Sequence, residues 1–428
     1  MASAMLLAVG GFAAPAESQD ATYPTVSLEQ AMERALEHSP QLAQASGAIR
    51  GARAAERSAF GAYLPSLSLS TGSSLASSER LNTQTNTTVT GSSDSYNAGL
   101  NASVDLYTGG RRGAMEAQTT AETAAALAGL TEAEFDVVLG VKRTFYDGLR
   151  ASELIRVAET QVERALEGLD AAQRRMDVGS ATRSDVLRSQ LELTNARQSL
   201  LDAENQRRTA AYALGRLVGS DGPVAAAGAD LLRPVPLAMT EPEVMDLVAA
   251  QAPGVLSARA DLRSSEAGER AARTQYLPSL RLSSGYNWFN QNPAFTDGRT
   301  SWQVGLSLSY PIFNGFQREE TMERARVGAA VAQVQVGDAE RAARAEAQRV
   351  YGSLRLAEQR IALNEEALEV AEEDLRVQQE RYRLGSTTIL EMITSQTNLL
   401  QAETDLVTSR FDYHMARAEL EALVGSEL

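Results

Sequence analysis

Residues 176–185 read MDVGSATRSD, and residues 382–391 read YRLGSTTILE. In both stretches a long helical pattern precedes a Gly-Ser turn, and a second helical pattern follows it. Glycine and small polar residues are typical of a tight connection between two helices. Each stretch ends in an acid, Asp185 or Glu391, at the same offset from its glycine. The chain therefore contains an internal repeat, which decides how the remaining sequence is interpreted.

The repeat covers most of the chain. The shift that carries Gly179 onto Gly385 also carries the Leu-Val-Gly at 217–219 onto that at 423–425. Upstream, YLPSL at 63–67 recurs at 276–280, and the small difference in spacing falls in the polar stretch after the first copy. We therefore expect two similar halves within one structure, which differ mainly in one loop.

Breaker residues and changes of periodicity predict the layout of these halves. A short apolar core at residues 4–13 precedes Ala14-Pro15-Ala16, which is typical of a secretory signal that has lost its basic start; a disordered apolar tail is the alternative. We expect a signal at 1–20, a first repeat at 21–219, a linker at 220–240 and a second repeat at 241–428. The first repeat should contain a β-hairpin at about 64–107 and a long helical hairpin at about 111–217. The second repeat should contain a β-hairpin at about 277–313 and a long helical hairpin at about 316–424.

Composition excludes several classes of protein. The net charge is −15 and the basic residues are scattered, which argues against nucleic acid as a partner. The chain has no cysteine, so a disulfide framework, a thiolate metal site and a lipid-modified N-terminal cysteine are ruled out. No apolar run has the length of a transmembrane helix.

The β-hairpins alternate apolar and polar residues with period two. The apolar positions are Leu67, Leu69, Thr71, Tyr96, Ala98, Leu100, Ala102, Val104, Leu106, Leu280, Leu282, Tyr286, Trp288, Trp302, Val304, Leu306, Leu308 and Tyr310. A polar loop is expected at roughly 76–95. Strands of about ten residues with one Ser/Asn/Gly face are typical of an outer-membrane barrel, and a soluble sheet half-buried on a core is the alternative. Aromatic residues that fit a membrane-interface girdle are Tyr96, Tyr107, Trp288, Trp302 and Tyr310.

Two very long helical patterns follow the hairpins, at about 111–175 and 316–383. Each would be ~100 Å long if straight. Apolar positions in them step by four and three, as in Val350, Leu354, Ala357 and Ile361, and the first half carries a matching stripe. This heptad spacing predicts left-handed coiled coils in both halves.

No pattern of catalytic residues is present in the sequence. His38 and His414 are the only histidines and lie in unrelated contexts, and Gly109-Gly110 lacks the surroundings of a phosphate-binding loop. Acid pairs such as Glu365-Glu366 lie in charged helical surroundings that are typical of a solvated face. We expect no enzymatic activity and no cofactor.

Taken together, the duplicated YLPSL, the strand–glycine–helix junctions, the VGSAT and LGSTT turns and the terminal Leu-Val-Gly resemble the TolC family of outer-membrane channels over nearly the whole chain. The resemblance implies a mainly α protein with a membrane β-barrel portion: a homotrimer in which four strands per chain close a twelve-stranded barrel and the long helices form a periplasmic α-barrel. It further implies an exit duct in the outer membrane of a Gram-negative bacterium. The implied partners are outer-membrane lipid, a periplasmic adaptor and an inner-membrane transporter of the RND, ABC or MFS type.

The resemblance also implies roles for residues of the two turns. Asp185 and Glu391 match acids around the closed periplasmic mouth, where three chains would form a ring that favours cations and raises the pKa of its members; helix N-terminal acids favoured by the dipole are the alternative. Tyr382, with Thr387 and Arg183, is expected among the closing contacts, although Thr387 replaces an arginine of the family network and Thr394 an acid. Residues that match adaptor-contacting tips are Val178, Gly179, Ser180, Thr182, Leu384, Gly385, Ser386 and Thr388.

Two other functions stay open on the sequence. One is a duct dedicated to type I protein secretion. The other is a soluble periplasmic coiled-coil adaptor, which would be monodisperse without detergent and would bury one face of its strands.

Overall fold

The computed structural model describes residues 23–82, 84, 87–228, 234, 237, 239–294 and 296–426, so the predicted signal at 1–20 lies outside it. In chain order the described elements are β1 (Thr25–Val26), α1 (Leu28–His38), α2 (Pro40–Gly61), β2 (Ser66–Asn82), β3 (Thr87–Tyr107), α3 (Arg111–Asp177), α4 (Arg183–Leu217), β4 (Ala225–Ala226), α5 (Glu241–Gln251), α6 (Pro253–Arg273), β5 (Ser279–Asn290), β6 (Arg299–Ser309), α7 (Gln317–Arg383) and α8 (Ile389–Val424). A short 3₁₀ helix, Thr274–Tyr276, precedes β5.

Local sequence explains where the first helices begin. The Ser27 hydroxyl accepts a hydrogen bond from the Gln30 amide at 3.3 Å, and the Gln30 side chain accepts one from the Ser27 amide at 3.2 Å. This capping box satisfies two of the amides that a helix leaves unpaired at its start. Ser39 caps α2 in the same way, and Pro40 fills the first helical position, where no amide is needed.

The two halves contain the same succession of two helices, two strands, a 67-residue helix and a second long helix. Helix α3 packs against α2 and α6 near the sheet, where Thr120 bonds Glu56 and Ser264 bonds Glu122. Further along, α3 packs against α4 and α8. The predicted heptad positions of α7 from Val350 to Ile361 are buried, which confirms the coiled-coil seam.

Two clusters of large apolar side chains form the core midway along the long helices. One joins β1, α1, α3, α4 and α8 around Phe145 and Phe411, and the other joins α5, α6, α7 and α8 around Leu354 and Tyr413. Strand β4 lies in the stretch expected to be a linker and pairs in parallel with β1. Towards the turns the clusters become small and rich in alanine, so the hairpins approach closely there but bury less apolar surface.

The four longer strands form one antiparallel sheet in the order β2-β3-β5-β6. The predicted loop at 76–95 is wrong, because β2 continues to Asn82 and β3 begins at Thr87. Backbone pairing does not need apolar alternation, and hydroxyl pairs such as Ser74 with Ser95, 2.7 Å apart, continue the ladder. The alternation predicted through Leu106 is also interrupted: a bulge there brings Tyr107 opposite Leu280 on the apolar face.

The apolar face of this sheet is not covered by any described part of the chain. Trp302 is 77% exposed, and Leu69 and Leu308 are similarly exposed. The expectation of a sheet half-buried on its own core is therefore not met within one chain. Strands β2 and β6 each leave one edge unpaired among the described residues. Among those residues, no helix has the length and apolar character required to cross a membrane.

Candidate functional site

The two turns between long helices have the same backbone design. Gly179 and Gly385 adopt left-handed φ angles of 76° and 77°. The next amides turn back on the preceding helix: Ser180 N–H donates to the Arg175 carbonyl at 2.8 Å, and Ser386 N–H to the Arg381 carbonyl at 2.9 Å. Glycine is favoured at this position because a side chain is strained there. We call the turns with their flanking residues the first tip (175–185) and the second tip (381–391).

In the first tip, Asp185 closes a capping box at the start of α4. Its Oδ2 accepts hydrogen bonds from the Thr182 amide at 2.8 Å and the Thr182 hydroxyl at 2.9 Å, while the Asp185 amide donates to that hydroxyl at 3.3 Å. The hydrogen bond from the Thr182 backbone, assisted by the charges of Arg188 and Arg175, lowers the pKa of Asp185. The predicted mouth acid therefore also caps a helix, as the alternative interpretation expected.

In the second tip, Glu391 is exposed and makes a different set of contacts. The cap residue Thr388 accepts a hydrogen bond from the Glu391 amide through its hydroxyl, at 3.4 Å. The Glu391 carboxylate contacts the Thr387 hydroxyl rather than Thr388. Thr387 also lies 3.2 Å from the Gln378 side-chain oxygen. A hydroxyl has one proton to donate, so these two acceptors compete for it. The second tip consequently lacks the reciprocal capping box of the first.

The contact that joins the two tips is made by Arg175 and Tyr382. Tyr382 is buried against Ile389 and Met392. The Arg175 guanidinium lies 4.4 Å from the centre of the Tyr382 ring, and it donates hydrogen bonds to the Tyr382 carbonyl and, at 3.2 Å, to the Ser180 carbonyl. One side chain thus binds the start of its own turn and the end of α7.

The Tyr382 hydroxyl does not take part in this contact. It is buried and has no hydrogen-bond partner in the described part of the chain. Burial raises the pKa of Tyr382, and the charge of Arg175 partly opposes that increase. The ring face and the backbone carbonyl, rather than the phenol, therefore connect the two helical hairpins.

Sequence reasoning identified Tyr382 but missed Arg175. The two residues are 207 positions apart, so no local pattern links them. The repeat hides the difference as well, because Arg381 occupies the equivalent position in the second tip. Among the described residues, Arg381 donates only to the Ser386 carbonyl of its own turn, at 3.4 Å.

Above the tips, α3 and α8 are joined by a further ionic contact. Arg164 donates two hydrogen bonds to the Glu403 carboxylate, at 3.0 and 2.8 Å, and both side chains are largely buried. Gln396 donates to the Arg164 carbonyl at 3.4 Å. A crevice of about 410 Å³ lies between α3, α7 and α8 beside these residues and Tyr382. The hairpins therefore meet through specific polar contacts rather than through a continuous apolar core.

The other predicted tip residues lie on the turns as single exposed groups. Val178 and Leu384 lie on the turns of the two helical hairpins and are exposed, as are Ser180 and Ser386. Arg183 begins α4, is exposed and forms no ion pair within the described residues. Its predicted closing contact is thus absent from the described part of a single chain.

The predicted interface aromatics lie in two groups along the sheet. Tyr107 and Tyr310 are at the end that leads into the long helices. Trp288 and Trp302 lie towards the opposite end of β5 and β6, where Trp302 pairs with Tyr286 and Trp288 with Thr300, and Tyr96 lies at the same level midway along β3. A role of these residues at a membrane interface stays a prediction.

The two histidines contact other parts of the protein and lie in unrelated places. His38 contacts the Arg34 carbonyl at 2.9 Å, and His414 stacks on Tyr146 with 5.1 Å between ring centres. Within the described ranges, no group of three or more His, Asp or Glu side chains is placed to hold a metal ion.

Comparison with known proteins agrees with this architecture. The outer membrane efflux protein family matches residues 31–220 and 244–426. The chain is 27% identical to Protein CyaE of Bordetella pertussis over 81% of this chain and 74% of that protein, and 24% identical to Outer membrane protein TolC of Vibrio cholerae over 94% and 91%. Its fold is similar to the crystal structure of CusC, with a TM-score of 0.83 and 19% identity over 94% of this chain and 93% of that one. The chain therefore belongs to the outer membrane efflux protein family, a family of outer-membrane channels.

Proposed function

We propose that three copies of this chain form one closed duct. The observation that carries this proposal is the four-stranded sheet, which has one exposed apolar face and two edges unpaired by any described residue, joined to two 67-residue helices. Open edges are not tolerated in lipid, so the sheet needs neighbours. Three copies would close twelve strands around a polar lumen lined by residues such as Asn97, Asn101 and Gln303. The long helices would continue that lumen as an α-barrel.

The tips are proposed as the periplasmic gate of the duct. Asp185 and Glu391 from three chains would form a ring of carboxylates that attracts cations. Crowding in that ring would raise the pKa of Asp185, against the lowering that its capping contacts produce. The contact of Arg175 with Tyr382 would hold the two hairpins of each chain together in the closed state, and opening would require the hairpins to separate.

The duct would work passively with two other proteins. The exposed turn residues, including Val178 and Leu384, would meet the helical tip of a periplasmic adaptor. The adaptor would connect the duct to an inner-membrane transporter of the RND, ABC or MFS type. In this role the chain performs no chemical step. Small molecules are the proposed cargo, and a secreted protein, carried by a type I system, is the alternative.

A soluble coiled-coil adaptor is the rival from another class. It would have to cover the apolar face of the sheet with its own core, and the exposure of Trp302 and Leu308 argues against it.

Planar-bilayer recording tests the gate directly. The wild type should conduct weakly and favour cations. Asp185→Asn with Glu391→Gln should reduce cation selectivity, whereas Asp202→Asn with Glu204→Gln, two exposed acids of α4 away from the turns, should not. Unchanged selectivity in the first pair would refute the carboxylate ring, and absence of any conductance in the wild type would refute the duct.

A further inference from the structure

The junction between β6 and α7 carries an exposed apolar cluster that the duct and its gate do not explain. Ile312, Phe313 and Phe316 are 84%, 71% and 69% exposed. The two phenylalanine rings meet edge to face with 5.4 Å between their centres. We call these three residues the junction wedge. Several large apolar side chains held together in contact with solvent mark an interaction surface.

The backbone of the wedge is strained in a way that its counterpart in the first half avoids. Phe316 has a left-handed φ of 66°, a conformation that disfavours residues with a side chain. The equivalent residue after β3 is Gly110, with a φ of 89°, which glycine adopts freely. The second half therefore keeps an aromatic ring where glycine would relieve the strain, and this indicates that the ring itself has a use.

The wedge is also held in place from the helix side. The Arg318 guanidinium donates to the Pro311 carbonyl at 2.8 Å and to the Ile312 carbonyl at 3.2 Å, and it lies 4.8 Å from the centre of the Tyr276 ring. These contacts satisfy two backbone carbonyls of the segment. The apolar side chains of the segment remain exposed.

The position of the wedge suggests what covers it. It continues the exposed apolar face of β6, which runs through Trp302, Val304, Leu306 and Leu308. Immediately after it, α7 begins with Gln317, Arg318, Glu319 and Glu320. The wedge thus lies where an apolar surface changes to a charged one. Phenylalanine and isoleucine have no polar tip, so they fit the acyl chains beneath lipid headgroups better than the headgroups themselves.

We infer that the junction wedge inserts among phospholipid acyl chains at the periplasmic edge of the outer membrane, once per chain, and fixes the depth of the sheet in the bilayer. This inference rests on the proposed function, because it requires the apolar face of the sheet to lie in lipid. The first half has only a partial counterpart at its junction: Leu106 and Tyr107 are exposed there, but Gly110 stands in the place of Phe316.

Tryptophan quenching in vesicles tests the inference, because the chain has only two tryptophans. The probes are Phe316→Trp and Phe313→Trp, each in a background with Trp288→Phe and Trp302→Phe. Vesicles contain phosphatidylcholine brominated either near the head or near the end of the acyl chain. Since interfacial apolar groups lie ~5–10 Å below the headgroups, each probe should be quenched about twofold or more by the first lipid, less by the second, and little by aqueous iodide. Leu384→Trp in the same background should show the reverse.

A variant that keeps only the native Trp302 separates the two possible failures. If brominated lipid quenches Trp302 but iodide quenches the wedge probes, the wedge lies in water and the inference is wrong while the duct stands. If neither agent quenches the wedge probes, a neighbouring copy covers them, and the inference is again wrong. If brominated lipid fails to quench Trp302, the proposed membrane position of the sheet is wrong.

A second variant tests whether the wedge sets depth. In the background with Trp302 alone, Ile312→Ser, Phe313→Ser and Phe316→Gly together should shift the ratio of quenching by the two brominated lipids, and Leu384→Ser should not. Phe316→Gly alone should not lower the thermal midpoint in detergent, because it relieves the left-handed strain. An unchanged quenching ratio would refute the anchoring role.

Discussion

Removal of Arg175 should open the gate, and Arg175→Gln is the informative change. Glutamine keeps much of the length of the side chain but loses the charge and the planar fork that binds two carbonyls at once. The Tyr382 ring, 4.4 Å from the guanidinium, and the Tyr382 carbonyl would both lose their partner in the other hairpin. The third interaction of Arg175, its hydrogen bond to the Ser180 carbonyl, lies within the first tip. Its loss should therefore not affect separation of the hairpins.

The size of the effect follows from these two interactions. A cation over an aromatic ring contributes about 0.5–2 kcal/mol, with the larger value when water is excluded. A hydrogen bond from a charged donor contributes about 1.5–3 kcal/mol at most, and less where solvent can replace it. Arg175 is half-buried, so we expect a combined loss of about 2 kcal/mol per chain. Because 1.4 kcal/mol corresponds to a factor of ten, separation of the hairpins in each chain should become roughly 10- to 30-fold more frequent.

Planar-bilayer recording of single channels measures this directly as the fraction of time spent above the closed conductance level. Arg381→Gln is the matched control, since Arg381 occupies the equivalent position but contacts only its own turn. It should leave the opening frequency close to that of the wild type. If the two variants behave alike, the contact between Arg175 and Tyr382 does not hold the gate closed, and the reasoning is wrong.

Three further changes have expected outcomes. Tyr382→Phe should leave conductance unchanged because the hydroxyl has no hydrogen-bond partner among the described residues, whereas Tyr382→Leu should open the gate in recordings as Arg175→Gln does. Asp185→Ala should lower stability by ~1 kcal/mol at neutral pH, because it removes the hydrogen bonds that the Asp185 carboxylate accepts from the cap residue Thr182. Because the folded pKa of Asp185 is lowered, this contribution is complete above the unfolded pKa of about 3.9 and disappears as the pH falls through the folded pKa. The thermal midpoints of wild type and variant in detergent should therefore converge in acid. Lys142→Ala should lower unfolding stability by about 2–3 kcal/mol, because the pair with Glu421, at 2.5 Å, is largely buried, while Arg143→Ala, which breaks an exposed pair with the same helix, should cost less than about 1 kcal/mol in the same denaturation assay.

Most of the fold could be predicted from the sequence, because the repeat and its periodicities are strong signals. The YLPSL copies, the alternation around Leu100 and Leu306 and the heptads around Leu354 each predicted an element that the structure contains. The prediction was wrong between residues 76 and 95, because backbone pairing between β2 and β3 continues there without apolar alternation. The bulge at Leu106 was missed for a similar reason, since one extra residue leaves no mark on composition.

Less of the candidate site could be predicted from the sequence. Glycine and capping residues mark the turns, because their roles are local. The partner of Tyr382 could not be found in that way, since Arg175 reaches it from the other hairpin and has an identical counterpart, Arg381, that makes no such contact. The strain at Phe316 was equally hidden, because it depends on a backbone angle and not on the residue type.

The most direct test of the central claim is the protein mass of the detergent-extracted particle, measured by light scattering with the detergent contribution subtracted. We expect three chains per particle, because the outer edges of β2 and β6, unpaired among the described residues, need neighbours and the apolar face of the sheet needs lipid or detergent. A single chain that stays monodisperse without detergent would contradict it, and the strands would then have to be covered in another way.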